Sequence, residues 1–157
     1  MSGTGVVGRD VERRVAAAVA TVADPEFPGV SVVELGLLES IRVDPDGHVR
    51  VSLLPTFSGC PALSMIGDDV ARAVEAVDGV HRVEVVWLAA PLWTTERISP
   101  SARLRLAQEF TVVVGAAAPC PVCAGGPLEL VSDVGPTRCR AVRRCAACGE
   151  VVEQVRT

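Results

Sequence analysis

Valines 11, 15, 19 and 22 recur every three to four residues through VERRVAAAVATVA, the spacing of one helix face, and predict an amphipathic helix over 11–23. The prolines of DPEFPG end it in an extended turn. Ile41 and Val43 then alternate with polar neighbours, DPDG supplies a turn, and Val49, Val51 and Leu53 alternate again, which predicts a β-hairpin. Leu63, Ile66, Val70, Val74 and Val77 restore the helical period over 62–77, and Asp78-Gly79 stops it. Val83 and Val85 alternate against Arg82 and Glu84 as a further strand. The order helix, strand, strand, helix, strand predicts an α+β chain built on a small two-layer α/β domain. One helix connects two strands of a sheet and the other covers the same face.

Ser99-Pro100 opens a short helix, with the serine as cap and the proline in the first helical position. TVVVGAAAP reads either as a strand or as a linker. On this pattern the α/β domain takes residues 9–111, a linker 112–118, and a second, small domain 119–157.

Composition narrows the class. A length of 157 residues suits one ordinary domain plus a small appendage, and 49% hydrophobic against 22% charged residues belongs to a chain that buries a core. A net charge of −4 and a pI near 5.2 argue against a general nucleic-acid binder, which needs a basic face, and favour proteins or small molecules as partners. No apolar run approaches the length of a membrane span, and MSGTGVVGRDVERR places charges ahead of the apolar run, the wrong order for a signal peptide. The expectation is a cytoplasmic protein with no membrane contact, whose paired cysteines serve as metal ligands or catalytic groups rather than disulfides.

Five of the six cysteines lie in CPVCAGGPLELVSDVGPTRCRAVRRCAACGE. Cys120 with Cys123 and Cys145 with Cys148 make two C-x-x-C pairs at the spacing of a four-thiolate zinc ribbon. Two residues between ligands let a tight turn aim both sulfurs at one ion, and Gly125 and Gly149 let the backbone fold back beneath it. PLELV and RCRAVRR pair as a hairpin and EVVEQV adds a third strand. So small a unit lacks a sufficient core, and a bound metal would supply folding free energy on the order of 10 kcal/mol. Tetrahedral Zn²⁺ is the first reading, with an iron site and disulfides or free thiols as alternatives. Cys139 is either a small ribbon residue or a further ligand. Arg138, Arg140, Arg143 and Arg144 could form a basic face, yet no aromatics interleave them for base stacking, so a solvated or protein-facing surface is the better reading.

PTFSGCPALSMI is the second place for chemistry. Cys60 sits just before the second helix, whose N-terminal N–H groups favour an anion and would lower a thiol pKa there. The opposing reading is a cysteine packed as a small hydrophobe. One thiol cannot hold an iron–sulfur cluster, which takes about four ligands. The others would come from a partner, from a second copy in a homodimer, or from Asp24 and Glu26, which can equally be turn formers. His48 and His81 read as turn and strand-edge residues. No Ser/His/Asp arrangement, Gly-rich phosphate loop or H-E-x-x-H motif commits the chain to catalysis.

DPEFPGVSVVELGLLESIRV, VSLLPTFSGCPALSMIGDDV and VHRVEVVWLAAPLWTTERIS resemble the successive motifs of the MIP18 (DUF59) family, small α/β domains associated with iron–sulfur cluster assembly. With the cysteine ribbon added, most of the chain is similar to the D-type (PaaD) subunits of phenylacetyl-CoA 1,2-epoxidase. That resemblance implies a non-catalytic accessory role in aerobic phenylacetate degradation, assisting maturation or assembly of the metal centres of a di-iron oxygenase and an iron–sulfur flavin reductase. It carries the family's acidic-proline motif onto Asp24 and Glu26, its loop motif onto Thr56, Ser58, Gly59 and Cys60, and its tryptophan-threonine segment onto Trp93, Thr94 and Thr95. The implied ribbon ligands are Cys120, Cys123, Cys145 and Cys148, and Cys139 also matches a family cysteine. Arg97 departs from the family, which usually has a second tryptophan there. The implied cofactors are structural Zn²⁺ and a transient iron or iron–sulfur cluster at Cys60, Asp24, Glu26 and Thr56, and the implied partners are other oxygenase subunits. The rival reading is a general iron–sulfur assembly factor with no oxygenase client.

Overall fold

The alanine-rich N-terminal segment forms α1 (Thr4–Val19) in a computed structural model that describes residues 4–156, with side chains from Gly8 onward. The helix starts at Thr4, ahead of the expected Val11; Gly5 and Gly8 are poor helix formers without apolar side chains, so the pattern gives no sign of these first turns. Asp10 pairs with Arg14 one turn on at 3.2 Å, and Val11, Val15 and Val19 are buried along one stripe. DPEFPG is more than the expected turn. β1 (Ala23–Asp24) and β2 (Phe27–Ser31) pair antiparallel around it. A helical turn follows in which Ser31 Oγ accepts from the Glu34 N–H at 3.1 Å and Glu34 Oε2 accepts from the Ser31 N–H at 2.9 Å, a reciprocal cap.

β3 (Leu38–Val43) and β4 (His48–Leu53) form the predicted hairpin. Gly47 closes it at φ +79°, and a Cβ there would stand 2.6 Å from the Gly79 carbonyl, so the turn requires glycine. α2 (Ala62–Glu75) then crosses over to β5 (Arg82–Trp87), parallel to β4, giving the sheet order β3-β4-β5. One face carries the rows Val43–Val49–Val83 and Ile41–Val51–Val85; α1 packs on β3, α2 on β5, and the two helices on each other. The other face carries Arg42, Arg50 and Glu84, with Arg50 Nε 3.1 Å from Glu84 Oε2. The expected two-layer domain is what forms. Val49, Val51, Leu53, Val70 and Val74 are fully buried at its centre. Leu53→Ala is expected to lower stability by about 2–5 kcal/mol through the void it leaves. Leu92→Ala, at an 80% exposed position, should shift the urea midpoint little, which makes the pair a matched denaturation test.

The second compact unit comprises residues 56–60 and 93–156, the first the remaining described residues. Trp93 is buried within the second. A short 3₁₀ turn (Thr95–Arg97) follows, held where Arg103 donates to the carbonyls of Thr95 and Ile98. α3 (Pro100–Phe110) starts as expected, with the Ser99 hydroxyl accepting from the Ala102 N–H and Pro100 in the first helical position. It packs on β6 (Val112–Val114), so the helix the sequence pattern groups with the α/β domain lies in the unit of the ribbon. β6 is itself the opening of the segment expected as a linker. It pairs parallel with β9 (Val151–Val155) at the edge of a sheet ordered β6-β9-β8-β7. β7 (Leu128–Ser132) and β8 (Arg140–Cys145) are the expected hairpin, and β9 adds antiparallel to β8. Among the described residues no helix is long and apolar enough to cross a membrane.

Candidate metal centre

Each C-x-x-C pair is bent by its own backbone hydrogen bonds. In the first, the Ala124 N–H donates to the Cys120 carbonyl at 2.9 Å, Ala124 takes φ +55°, and the Gly125 N–H donates to Cys123 Sγ at 3.4 Å. In the second, which joins β8 to β9, the Gly149 N–H donates to the Cys145 carbonyl at 2.9 Å and the Cys145 N–H to the Glu150 carbonyl at 2.8 Å. The two loops also touch each other. The Ala146 N–H donates to the Pro127 carbonyl at 3.0 Å, and a Cβ on Gly126 would lie 2.7 Å from Ala147 Cβ. The glycine that permits this approach is therefore Gly126, which the spacing argument, resting on Gly125 and Gly149, passes over.

The four sulfurs converge as a result. Cys120 Sγ lies 3.8 Å from Cys148 Sγ, Cys123 Sγ 3.6 Å from Cys145 Sγ, and all four lie within 4.8 Å of one another. An ion bound at about 2.3 Å from four tetrahedral sulfurs sets neighbouring sulfurs about 3.8 Å apart, so the set fits one metal with thiolate preference. Its electrostatics favour a cation as well. The Cys145 thiol is lowered to about 6, chiefly by the backbone N–H of Cys148, with burial opposing. At Cys148 the Glu150 N–H pulls down most strongly, yet partial desolvation by the surrounding loop and the thiols of Cys123, Cys145 and Cys120 together push it up to about 12. The raised Cys148 thiol shows the cost of placing a thiolate beside its neighbours, and a divalent cation offsets that cost.

Cys120 and Cys145, each 1% exposed, are also core residues, packed with Val113, Leu128, Val152 and Ala118, while Cys123 and Cys148 are exposed. Half the ligand set thus belongs to the hydrophobic centre of the ribbon.

The other residues that the sequence offers for chemistry lie elsewhere. Cys139 precedes β8, at the opposite end from Cys145; at about 3.3 Å per strand residue the two are roughly 20 Å apart. It is a ribbon residue outside the sulfur cluster, its sulfur 3.1 Å from Thr137 Oγ1. Asp24 ends β1 and Glu26 stands in the turn to β2, both half-buried, and Asp24 Oδ1 accepts from the Glu26 N–H at 2.8 Å, the turn-forming role weighed for it from the sequence. Thr56 and Cys60 are half-buried in the loop before α2, where the Cys60 N–H donates to the Phe57 carbonyl at 3.1 Å. Cys60 directly precedes Pro61, the N-cap of α2, which supplies no side-chain hydrogen bond to the helix. None of the six cysteines is in a disulfide.

The ribbon arginines are tied into the sheet. Arg140 pairs with Glu153 at 2.8 Å, Arg143 donates to Gln154 Oε1 and to the Leu128 carbonyl, and Arg144 donates to the Gly149 carbonyl at 3.3 Å, bracing the second C-x-x-C loop. These cross-strand partners are invisible in the local sequence.

Comparison with known proteins gives both halves relatives. Residues 12–85 match the family profile described as iron–sulfur cluster assembly protein, and residues 107–156 match the PaaD zinc β-ribbon domain. An Escherichia coli (strain K12) protein provisionally assigned as the D-type component of 1,2-phenylacetyl-CoA epoxidase is 32% identical over 144 residues, covering 85% of this chain and 86% of that one. The iron–sulfur protein maturation auxiliary factor YitW of Bacillus subtilis (strain 168) is 32% identical over 96 residues, covering 61% of this chain and 93% of that one. A solved DUF59 domain from Bacillus anthracis superposes with a TM-score of 0.60 at 30% identity, covering 65% of this chain and 96% of that one.

Proposed function

The chain belongs to the family of iron–sulfur cluster assembly proteins that carry a PaaD zinc β-ribbon, and from that premise we propose that it is a cytoplasmic, non-catalytic accessory subunit of phenylacetyl-CoA epoxidase, assisting maturation of the iron or iron–sulfur centres in its partner subunits. The observation that carries this reading is the union of both domains in one chain, shared with the Escherichia coli relative across 86% of that protein.

In this reading Cys120, Cys123, Cys145 and Cys148 hold one Zn²⁺, whose contribution is structural, joining the two C-x-x-C loops over a small core. Iron or a cluster is cargo rather than resident cofactor. Cys60 is the residue we assign to it, with Asp24, Glu26 and Thr56 as its candidate helpers on the strength of the family motifs. Cys60 suits transient holding: it is partly accessible, and the helix end it precedes favours a thiolate.

A specific observation favours the rival reading of a general assembly factor, since YitW is described as a maturation auxiliary factor with no oxygenase in its name. One experiment separates the two. Epoxidase subunits purified from cells lacking this chain should carry at least about tenfold less iron and activity than from complemented cells, with other iron–sulfur enzymes unaffected. Normal iron in the epoxidase would sink the proposal. A parallel loss across unrelated iron–sulfur enzymes would replace it with the general factor.

A further inference from the structure

Beside the face of the ribbon sheet that carries Ala141 and Gln154 lies a cleft of ≈ 410 Å³, edged by Thr95 and Gly115 and walled by Leu130, Arg143 and Arg156. Gln154 is 8% exposed, a buried amide on β9 opposite Ala141. Its Oε1 accepts from Arg143 Nε, and because arginine only donates, the oxygen must face Arg143 and the amide N–H₂ is turned away from it. The Arg143 guanidinium is fixed in place by a second hydrogen bond to the Leu128 carbonyl at 2.9 Å. The cleft therefore gathers donors from Gln154, Arg143 and Arg156, with Asp133 as its one acid, against the apolar surfaces of Leu130 and Ala141. Fixed donors over an apolar floor suit a carboxylate on a short hydrocarbon stem.

The surroundings point to the carrier of that carboxylate. β7 is an edge strand, and Leu130 and Val131 on it are 49% and 60% exposed, the setting in which an extended segment adds to a sheet. The lining of the cleft itself holds Arg143 and Arg156 against Asp133 alone, so its local charge favours an acidic partner within a chain that is acidic as a whole.

We propose that this cleft docks a glutamate or aspartate side chain presented by an extended segment of a partner protein. The inference deepens the reading above by giving the ribbon's client contact a location, and its test does not depend on epoxidase activity. The full chain, metal-loaded and isotopically labelled, is titrated by NMR with a short blocked peptide bearing a central glutamate, with its glutamine counterpart, and with free glutarate. The glutamate peptide should shift the Gln154 amide N–H₂, the Arg143 Nε–H and the Ala141 amide, and the glutamine peptide should bind at least about tenfold more weakly. Leu130→Glu and Arg156→Gln, both at the accessible mouth, should each weaken binding at least about fivefold without changing metal content. Equal binding of the two peptides, glutarate binding as tightly as the glutamate peptide, or no shifts in the cleft would each overturn the proposal. Any of these outcomes in a chain whose deletion still costs the client its iron removes the cleft alone. Normal client iron in the deletion strain is a separate result, which removes the functional reading whatever the cleft binds.

Discussion

Cys120→Ser is expected to leave purification without the ribbon metal and with residues 112–156 open to hydrogen exchange, while β3, β4 and β5 keep their protection. Cys120 acts twice, as a member of the four-sulfur cluster and as a 1% exposed member of the ribbon core. The cluster around it holds Val113, Leu128, Cys145, Val152 and the partly buried Ala118, a small group on which to order the two C-x-x-C loops. A thiolate metal site supplies the balance, on the order of 10 kcal/mol for structural zinc. Serine offers a neutral, hard oxygen in place of a soft thiolate and leaves a hydroxyl in the core, so both contributions fall together. Cys139→Ser is the control: its sulfur lies at the far end of β8, and it should retain full metal by elemental analysis. A Cys120→Ser chain holding one zinc with a protected ribbon would show that the cluster is not what folds it. The same chemistry sets the direction of the pH effect. At neutral pH the Cys148 thiol, near 12, carries a proton that metal binding must expel, so retention weakens as pH falls and strengthens as it rises.

What the sequence disclosed follows from the range of the interactions involved. Val49, Val51 and Leu53 advertise a buried strand because a period of two is written in adjacent residues, and Val11, Val15 and Val19 do the same for a helix. The C-x-x-C pairs were legible for a related reason: each loop closes locally, and two such loops in one small unit have few places to go. β6 is ambiguous in the sequence because three valines are too short to show alternation and their partner, β9, lies some forty residues away. The grouping of α3 with the ribbon rests on the same distant pairing. The spacing from Cys139 to Cys145 could not reveal whether the segment turns back or runs straight, and its running straight as β8 carries Cys139 away from the metal site. Arg143 likewise reads as one of four surface charges until its bonds to Gln154 and Leu128 place it in the cleft wall.

For Cys60→Ser the expected outcome is a chain with normal fold and full ribbon zinc whose client epoxidase is purified with at least about tenfold less iron and activity. The substitution is nearly isosteric and the side chain only partly buried, so stability should change little, which separates a cargo role from a packing role. A serine hydroxyl at the end of α2 stays protonated at neutral pH and cannot replace a thiolate toward iron. The acids are tested beside it with the geometry in mind. Asp24→Asn keeps an oxygen to accept the Glu26 N–H, so the β1–β2 turn survives and only the charge is lost. If Asp24 is a turn former alone, Asp24→Asn matures the client as well as wild type does, whereas a helper to Cys60 loses activity without loss of fold. Glu26→Gln and Thr56→Ala extend the comparison to the other two candidates. Client iron at wild-type level with Cys60→Ser would remove this thiol from the mechanism and leave the chain a docking subunit organised by its ribbon.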